Sequence, residues 1–179
     1  NCSGKHAGLL STAVYRAGVT RGYLHREHPV QQRVGRVLSQ MSGAELVRAP
    51  VGVDGCGIPV IGLPLHALAL GMARFGTGSG LGAVRSRGAW RLYQAMVSEP
   101  FMVAGTGRWT TAAIEIGEGQ FVVKTGAEGV CCGIVPSLGL GIALKIDDGA
   151  ARAAEAVMSE LLARFAGLEE HRVAKLLAL

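Results

Sequence analysis

No stretch of this 179-residue sequence is long and apolar enough to cross a membrane as a helix. The best candidate, residues 60–72, is broken by Gly62, Pro64, His66 and Gly71, whereas a span needs about 18 apolar residues. No charged stretch followed by an apolar core opens the chain, so no secretory leader is expected. Aromatic residues make up only 5%, and no run of basic residues occurs, although 14 of the 18 cations are arginine. The net charge of +5 is diffuse, with some excess toward the front. Nucleic-acid binding calls for a clustered basic footprint and stacking rings, so that class is excluded. Charged residues are 17%, hydrophobic residues 49%, and the mean hydropathy is +0.33, which excludes a disordered tail. There are four cysteines: Cys2, Cys56, Cys131 and Cys132. Without a leader, reduced thiols in a cytoplasmic setting are expected, serving as metal ligands or as small buried apolar groups.

Glycine is abundant instead, at 27 residues, about twice the usual ~7%. No collagen period, internal repeat or low-complexity linker accompanies it, so the glycines read as turns and close packing. Leu9, Leu10, Ala13, Val14 and Ala17 form a helical stripe over residues 6–17, closed by Gly18. Pro29 suits a first helical position, and Val30, Val34, Val37, Leu38 and Met41 follow at helical spacing up to Ser42-Gly43. Residues 50–59 read as a glycine-rich loop or short strand. Pro64 starts a third helix to about Phe75, and residues 83–97 form a fourth, ended by Pro100.

The pattern changes near Gly119. Residues 120–124, 129–135 and 139–146 are short apolar runs between glycines, which predicts an antiparallel meander. Asp147-Asp148-Gly149 punctuates it, and residues 150–165 read as an amphipathic helix with acidic residues near its start. Helices, then strands, then a closing helix predict an α+β fold, an antiparallel sheet with helices packed around it.

Three groups of residues carry chemistry. Lys124-Thr125-Gly126 ends a predicted strand. Penicillin-recognising serine enzymes place such a Lys-Thr-Gly on the strand beside the active site. The bland alternative is a surface lysine before a turn. That fold also requires a Ser-x-x-Lys, whose lysine takes the serine proton one helical turn away. No serine here is followed by lysine three residues later; the nearest imitation is Cys2-Ser3-Gly4-Lys5.

Cys2, Lys5 and Cys56 form the second group. Two thiolates can hold zinc. Neutralising an ordinary lysine at pH 7 costs about 4.6 kcal/mol, from a reference pKa near 10.4. The alternative is two unrelated buried cysteines. Asp54, between glycines, reads either as an Asx turn or as a carboxylate orienting a metal site or a ligand. His6 follows Lys5 and could line the same site, and His28 sits near a helix cap; both are otherwise structural.

Taken together, the segments 1–8, His28-Pro29-Val30-Gln31, Gly52-Val53-Asp54-Gly55-Cys56-Gly57, 124–129 and 141–149 resemble the rhizobial-type, class-three L-asparaginases. The resemblance implies a serine-β-lactamase-like fold and hydrolysis of L-asparagine to L-aspartate and ammonia through a serine acyl-enzyme, in a homodimer. It carries Lys124 over as an electrostatic partner of the nucleophile, and Cys2, Lys5 and Cys56 as ligands of a zinc ion. Asp54, His6, Thr125 and Gly126 become substrate contacts. Because no Ser-x-x-Lys is present, residues 1–179 are expected to be the C-terminal portion of a single domain, inactive alone. The competing readings are a non-catalytic zinc-binding or assembly module, and a cysteine hydrolase using Cys2 with Lys5.

Overall fold

The computed structural model describes residues 2–178. Asn1, the first residue of the opening motif, lies outside them. The chain divides into two compact units, Asn1–Ala67 and Leu68–Leu179.

The first unit holds helix α1 (Cys2–Ala17), helix α2 (Pro29–Ser42) and a two-stranded hairpin of β1 (Val51–Val53) and β2 (Pro59–Ile61), whose turn meets the helices through Ile58. The strands pair antiparallel, Val51 opposite Ile61 and Val53 opposite Pro59. The expected stripe on α1 holds in part: Leu9 and Ala13 are buried with Val30 of α2 and Ile58, whereas Val14 is exposed. Gly18, at φ 71°, ends α1 by donating to Ala13 and Val14, and Gly43 caps α2 in the same left-handed conformation. Pro29 starts α2, and His28 caps it by accepting from the Val30 amide. The loop-or-strand alternative for residues 50–59 resolves as the hairpin and its turn.

Helix α3 (Leu65–Thr77) begins at the boundary between the units. The second unit continues with α4 (Ala83–Ser98), α5 (Pro100–Ala104) and α6 (Trp109–Gly117). Strands β3 (Val122–Thr125), β4 (Val130–Val135) and β5 (Leu140–Lys145) form the expected meander, in the order β3-β4-β5 with both pairings antiparallel. Helices α7 (Ala151–Ala166) and α8 (Glu170–Leu177) close the chain.

Alternating strand residues face opposite sides of this sheet. Met158 of α7 covers the face carrying Gly133. Helix α3 covers the other so closely that a Cβ at Gly141 would overlap the Ala69 carbonyl, and one at Gly76 would overlap Ile134. Tyr93, Phe121, Ile114, Ile134, Met158 and Leu162 are fully buried in this core, each contributing about 1.5–3 kcal/mol by removal from water.

Several expectations need correction. Pro100 ends α4 but also occupies the first turn of α5, where its missing N–H costs nothing. Helix α6 was not expected; it is apolar nearly all round, so no stripe marks it. Helix α7 has no acid in its first turn. Asp148 sits ahead of it instead, accepting from the Ala150 amide at 2.8 Å and pairing with Arg152. The sequence is therefore α+β with two small antiparallel sheets, and no helix among the described residues is long and apolar enough to cross a membrane.

Candidate functional site

Residues 2 and 5 of α1 are one turn apart and share a face. Packing of Leu9 and Ala13 against Val30 and Ile58 points that face toward the β1–β2 turn. The turn is tight: the Asp54 amide donates to Ile58, and Gly57, at φ 83°, donates back to Asp54. Its sequence, Asp54-Gly55-Cys56-Gly57, gives glycine at the one position where φ is positive. Asp54 and Cys56 therefore return beside the start of α1.

Asp54 uses both of its carboxylate oxygens. Its Oδ1 accepts from the amide of the next residue, Gly55, at 2.9 Å, one residue short of the expected Asx turn. Its Oδ2 accepts from Lys5 Nζ at 3.0 Å and from Cys56 Sγ at 3.4 Å. Ligand atoms of Cys2, Asp54 and Cys56 all lie within 4.8 Å of one another. Cys2 is exposed and Cys56 half-buried, so they are not two unrelated buried cysteines.

The electrostatics follow from these contacts. Hydrogen bonds from Lys5 and Cys56, then from the Gly55 amide, hold Asp54 below the usual carboxylate range. Burial works to lower Lys5, but its hydrogen bonds to Asp54 and Cys56 outweigh burial and hold it above the ordinary lysine value. The Cys2 thiol is raised, first by its hydrogen bond with Cys56 and then by burial. A raised thiol is a poor nucleophile, which argues against the cysteine-hydrolase reading.

The donor set can be compared with what zinc requires. Tetrahedral zinc with Zn–S near 2.3 Å separates two sulfurs by about 3.8 Å. The ligand atoms of Cys2, Asp54 and Cys56 lie within 4.8 Å of one another, which admits that sulfur spacing, Lys5 Nζ joins them through Asp54 Oδ2 at 3.0 Å, and the sulfurs favour zinc over magnesium or calcium. Lys5 would have to give up its proton to ligate, and Asp54, already its partner, is placed to orient it. Cys131 and Cys132 belong to no such cluster among the described residues. They are 0% and 7% exposed, and their thiols are pushed by burial up to about 12 and about 11.

His6 lies on α1 beyond Lys5. Its Nδ1 shares a 2.8 Å hydrogen bond with the Tyr23 hydroxyl, with the rings edge to face. Its Nε2 is buried without a partner. Tyr23 was not picked out from sequence, since no periodicity marks the segment between α1 and α2.

The second unit carries Lys124, Thr125 and Gly126. Lys124 and Thr125 end β3, an edge strand, with Cys132 and Cys131 opposite. The Lys124 amine donates to the Thr125 carbonyl. Thr125 Oγ1 is 3.0 Å from Thr110 Oγ1, a buried residue of α6 that the sequence did not reveal because α6 itself was not read. Gly126 donates to Val130 in the turn. A Cβ at Gly126 would meet Val130 at 3.5 Å, an ordinary contact, so packing inside the chain does not demand glycine there.

A family model described as L-asparaginase II matches residues 1–179. A search of curated proteins found no match to the chain.

Proposed function

The chain belongs to the L-asparaginase II family, and on that premise we propose that it forms part of an enzyme hydrolysing L-asparagine to L-aspartate and ammonia. The observation that carries this reading is the family match over the whole chain, joined to a Lys-Thr-Gly at the end of an edge strand. In this reading the fold is serine-β-lactamase-like and the enzyme a cytoplasmic homodimer. A serine from a Ser-x-x-Lys outside these 179 residues attacks the side-chain amide carbon. Its proton passes to the departing amine, ammonia leaves, and water cleaves the resulting ester to release aspartate.

Lys124 supplies positive charge near the attacking oxygen. The exposed edge at Gly126 gives substrate room to approach the backbone. Thr125 contacts substrate while Thr110 fixes the direction of its hydroxyl. Cys2, Lys5 and Cys56 hold zinc, with Asp54 orienting Lys5 and Cys56, and His6 lines the same site. Bound zinc would supply fixed positive charge and Lewis acidity at this site.

The test is Lys124→Ala in a protein extended upstream to include the Ser-x-x-Lys. Loss of one such electrostatic group typically lowers turnover by about 10²–10³-fold. Residues 1–179 alone should release no ammonia from asparagine. Undiminished turnover in the folded variant would refute the role of Lys124. A complete protein that binds zinc but never hydrolyses asparagine would favour the non-catalytic binding module instead.

A further inference from the structure

The segment His28-Pro29-Val30-Gln31 has no part in that reading, yet one of its side chains reaches back toward the cysteine site. Gln31 is buried, and its Nε2 donates to the Tyr23 carbonyl at 2.8 Å. The His28 cap fixes where α2 begins, and so where Gln31 can reach. Tyr23 is thereby held by its main chain, and its side chain projects from a fixed point.

That side chain meets α1 at His6. The Tyr23 hydroxyl shares a 2.8 Å hydrogen bond with His6 Nδ1, the rings edge to face. Residues 2–5, 7 and 8 are exposed, so His6 is the one residue of 2–8 turned toward the interior. The first turn of a helix lacks intrahelical partners for its amides, and helix ends fray. Cys2 and Lys5 lie on that turn. The Lys5–Asp54 pair is partly exposed, and ion pairs in contact with water contribute little to holding a turn in place. The bond from His6 to Tyr23 is the inward anchor of this turn.

The next residue, Leu24, backs the other half of the site. Its Cδ1 lies 3.5 Å from the place a Cβ on Gly57 would take. Tyr23, Leu24 and Cys56 all pack against the cluster of Leu9, Ala13, Val30 and Ile58. The dipeptide therefore touches both strands of chain that carry the thiols.

We propose that Tyr23 is a positioning residue for the metal site: held by Gln31, it fixes the turn bearing Cys2 and Lys5 through His6, while Leu24 backs the turn bearing Cys56. This inference rests on the reading of those residues as metal ligands. A ligand set fixed beforehand binds more tightly, because less ordering is left for binding to accomplish.

The test is the zinc affinity of the 179-residue chain by competition with a chelator, together with the absorption of cobalt(II) bound in place of zinc, whose visible bands report ligand geometry. Tyr23→Phe keeps the ring and removes only the hydroxyl. It should still bind one ion per chain, about fivefold more weakly, the usual worth of one hydrogen bond, and with altered cobalt bands. Gln31→Leu should do the same. The two together should lose little more than either alone, because both act through one strut. Val34→Ala trims the same cluster but removes no hydrogen bond. It should lower the melting temperature and leave the affinity and the cobalt spectrum unchanged. Undiminished affinity in Tyr23→Phe, an equal loss in Val34→Ala, or full additivity of Tyr23→Phe and Gln31→Leu would each overturn the proposal. A parent chain that binds no zinc would overturn the metal reading itself, and this inference with it.

Discussion

Lys5 and Asp54 are 49 residues apart in sequence and 3.0 Å apart in space. This ion pair ties the first turn of α1 to the β1–β2 turn and brings the thiols of residues 2 and 56 together. It divides the labour expected at the site, sulfur for binding and the carboxylate for orientation. Cys2→Ala with Cys56→Ala should abolish zinc uptake, read by elemental analysis of a folded protein. Asp54→Asn should leave the stoichiometry at saturation unchanged and weaken affinity by about 10–100-fold, the usual effect of an orienting group. Competition with a chelator measures it, and an unchanged affinity would remove Asp54 from the account.

Two glycines should separate packing from function. Gly141→Ala drives a methyl into the Ala69 carbonyl of α3, where the backbone cannot yield. It should cost about 3 kcal/mol or more, the upper end of overpacking effects. Gly126→Ala is exposed, its new methyl in ordinary contact, and should change stability by about 0.5 kcal/mol or less. The same Gly126→Ala should lower turnover of the extended enzyme, since the crowding it adds faces substrate. A fall in melting temperature with Gly126→Ala equal to that with Gly141→Ala would contradict this division.

The buried thiol pair sets an alkaline limit. Unfolded, Cys131 and Cys132 ionise near 9.0; folded, burial holds them at about 12 and about 11. Below pH 9 both states keep these protons, and stability does not depend on them. Above it the unfolded chain loses protons that the fold retains, so stability falls as pH rises. The slope is on the order of 1.4 kcal/mol per pH unit for each thiol. Against a typical total of about 5–15 kcal/mol, two units are a large loss. Denaturant titrations from pH 8 to 11 should show it, and Cys131→Ala with Cys132→Ala should flatten the curve while lowering its neutral plateau.

Much of this architecture is legible in the residues. Helices α1, α2, α4 and α7 announce themselves by apolar spacing and by glycine or proline at their ends. The three strands of the meander lie between glycines at turns. What escaped did so for local reasons. Helix α6 has no polar face to set a period, and α5 and α8 are too short to show one. Strands β1 and β2 have three residues each, fewer than an alternating pattern needs. At the candidate site, Cys2, Lys5, Asp54 and Cys56 stood out as unusual residue types in glycine-rich company. Tyr23 and Thr110 are ordinary residues in featureless segments, and only tertiary proximity gives them partners.

Among the described residues, the first unit's core cluster holds four buried apolar residues, Leu9, Ala13, Val30 and Ile58, whereas seventeen form the cluster around the three-stranded sheet. Segments with little buried apolar surface open at lower free energy. Deuterium should therefore enter the amides of α1 and α2 well before those of β4, without global unfolding. An ion clasping Cys2 to Cys56 would slow exchange along α1 and leave β4 unchanged, so the pattern of uptake would report metal occupancy amide by amide.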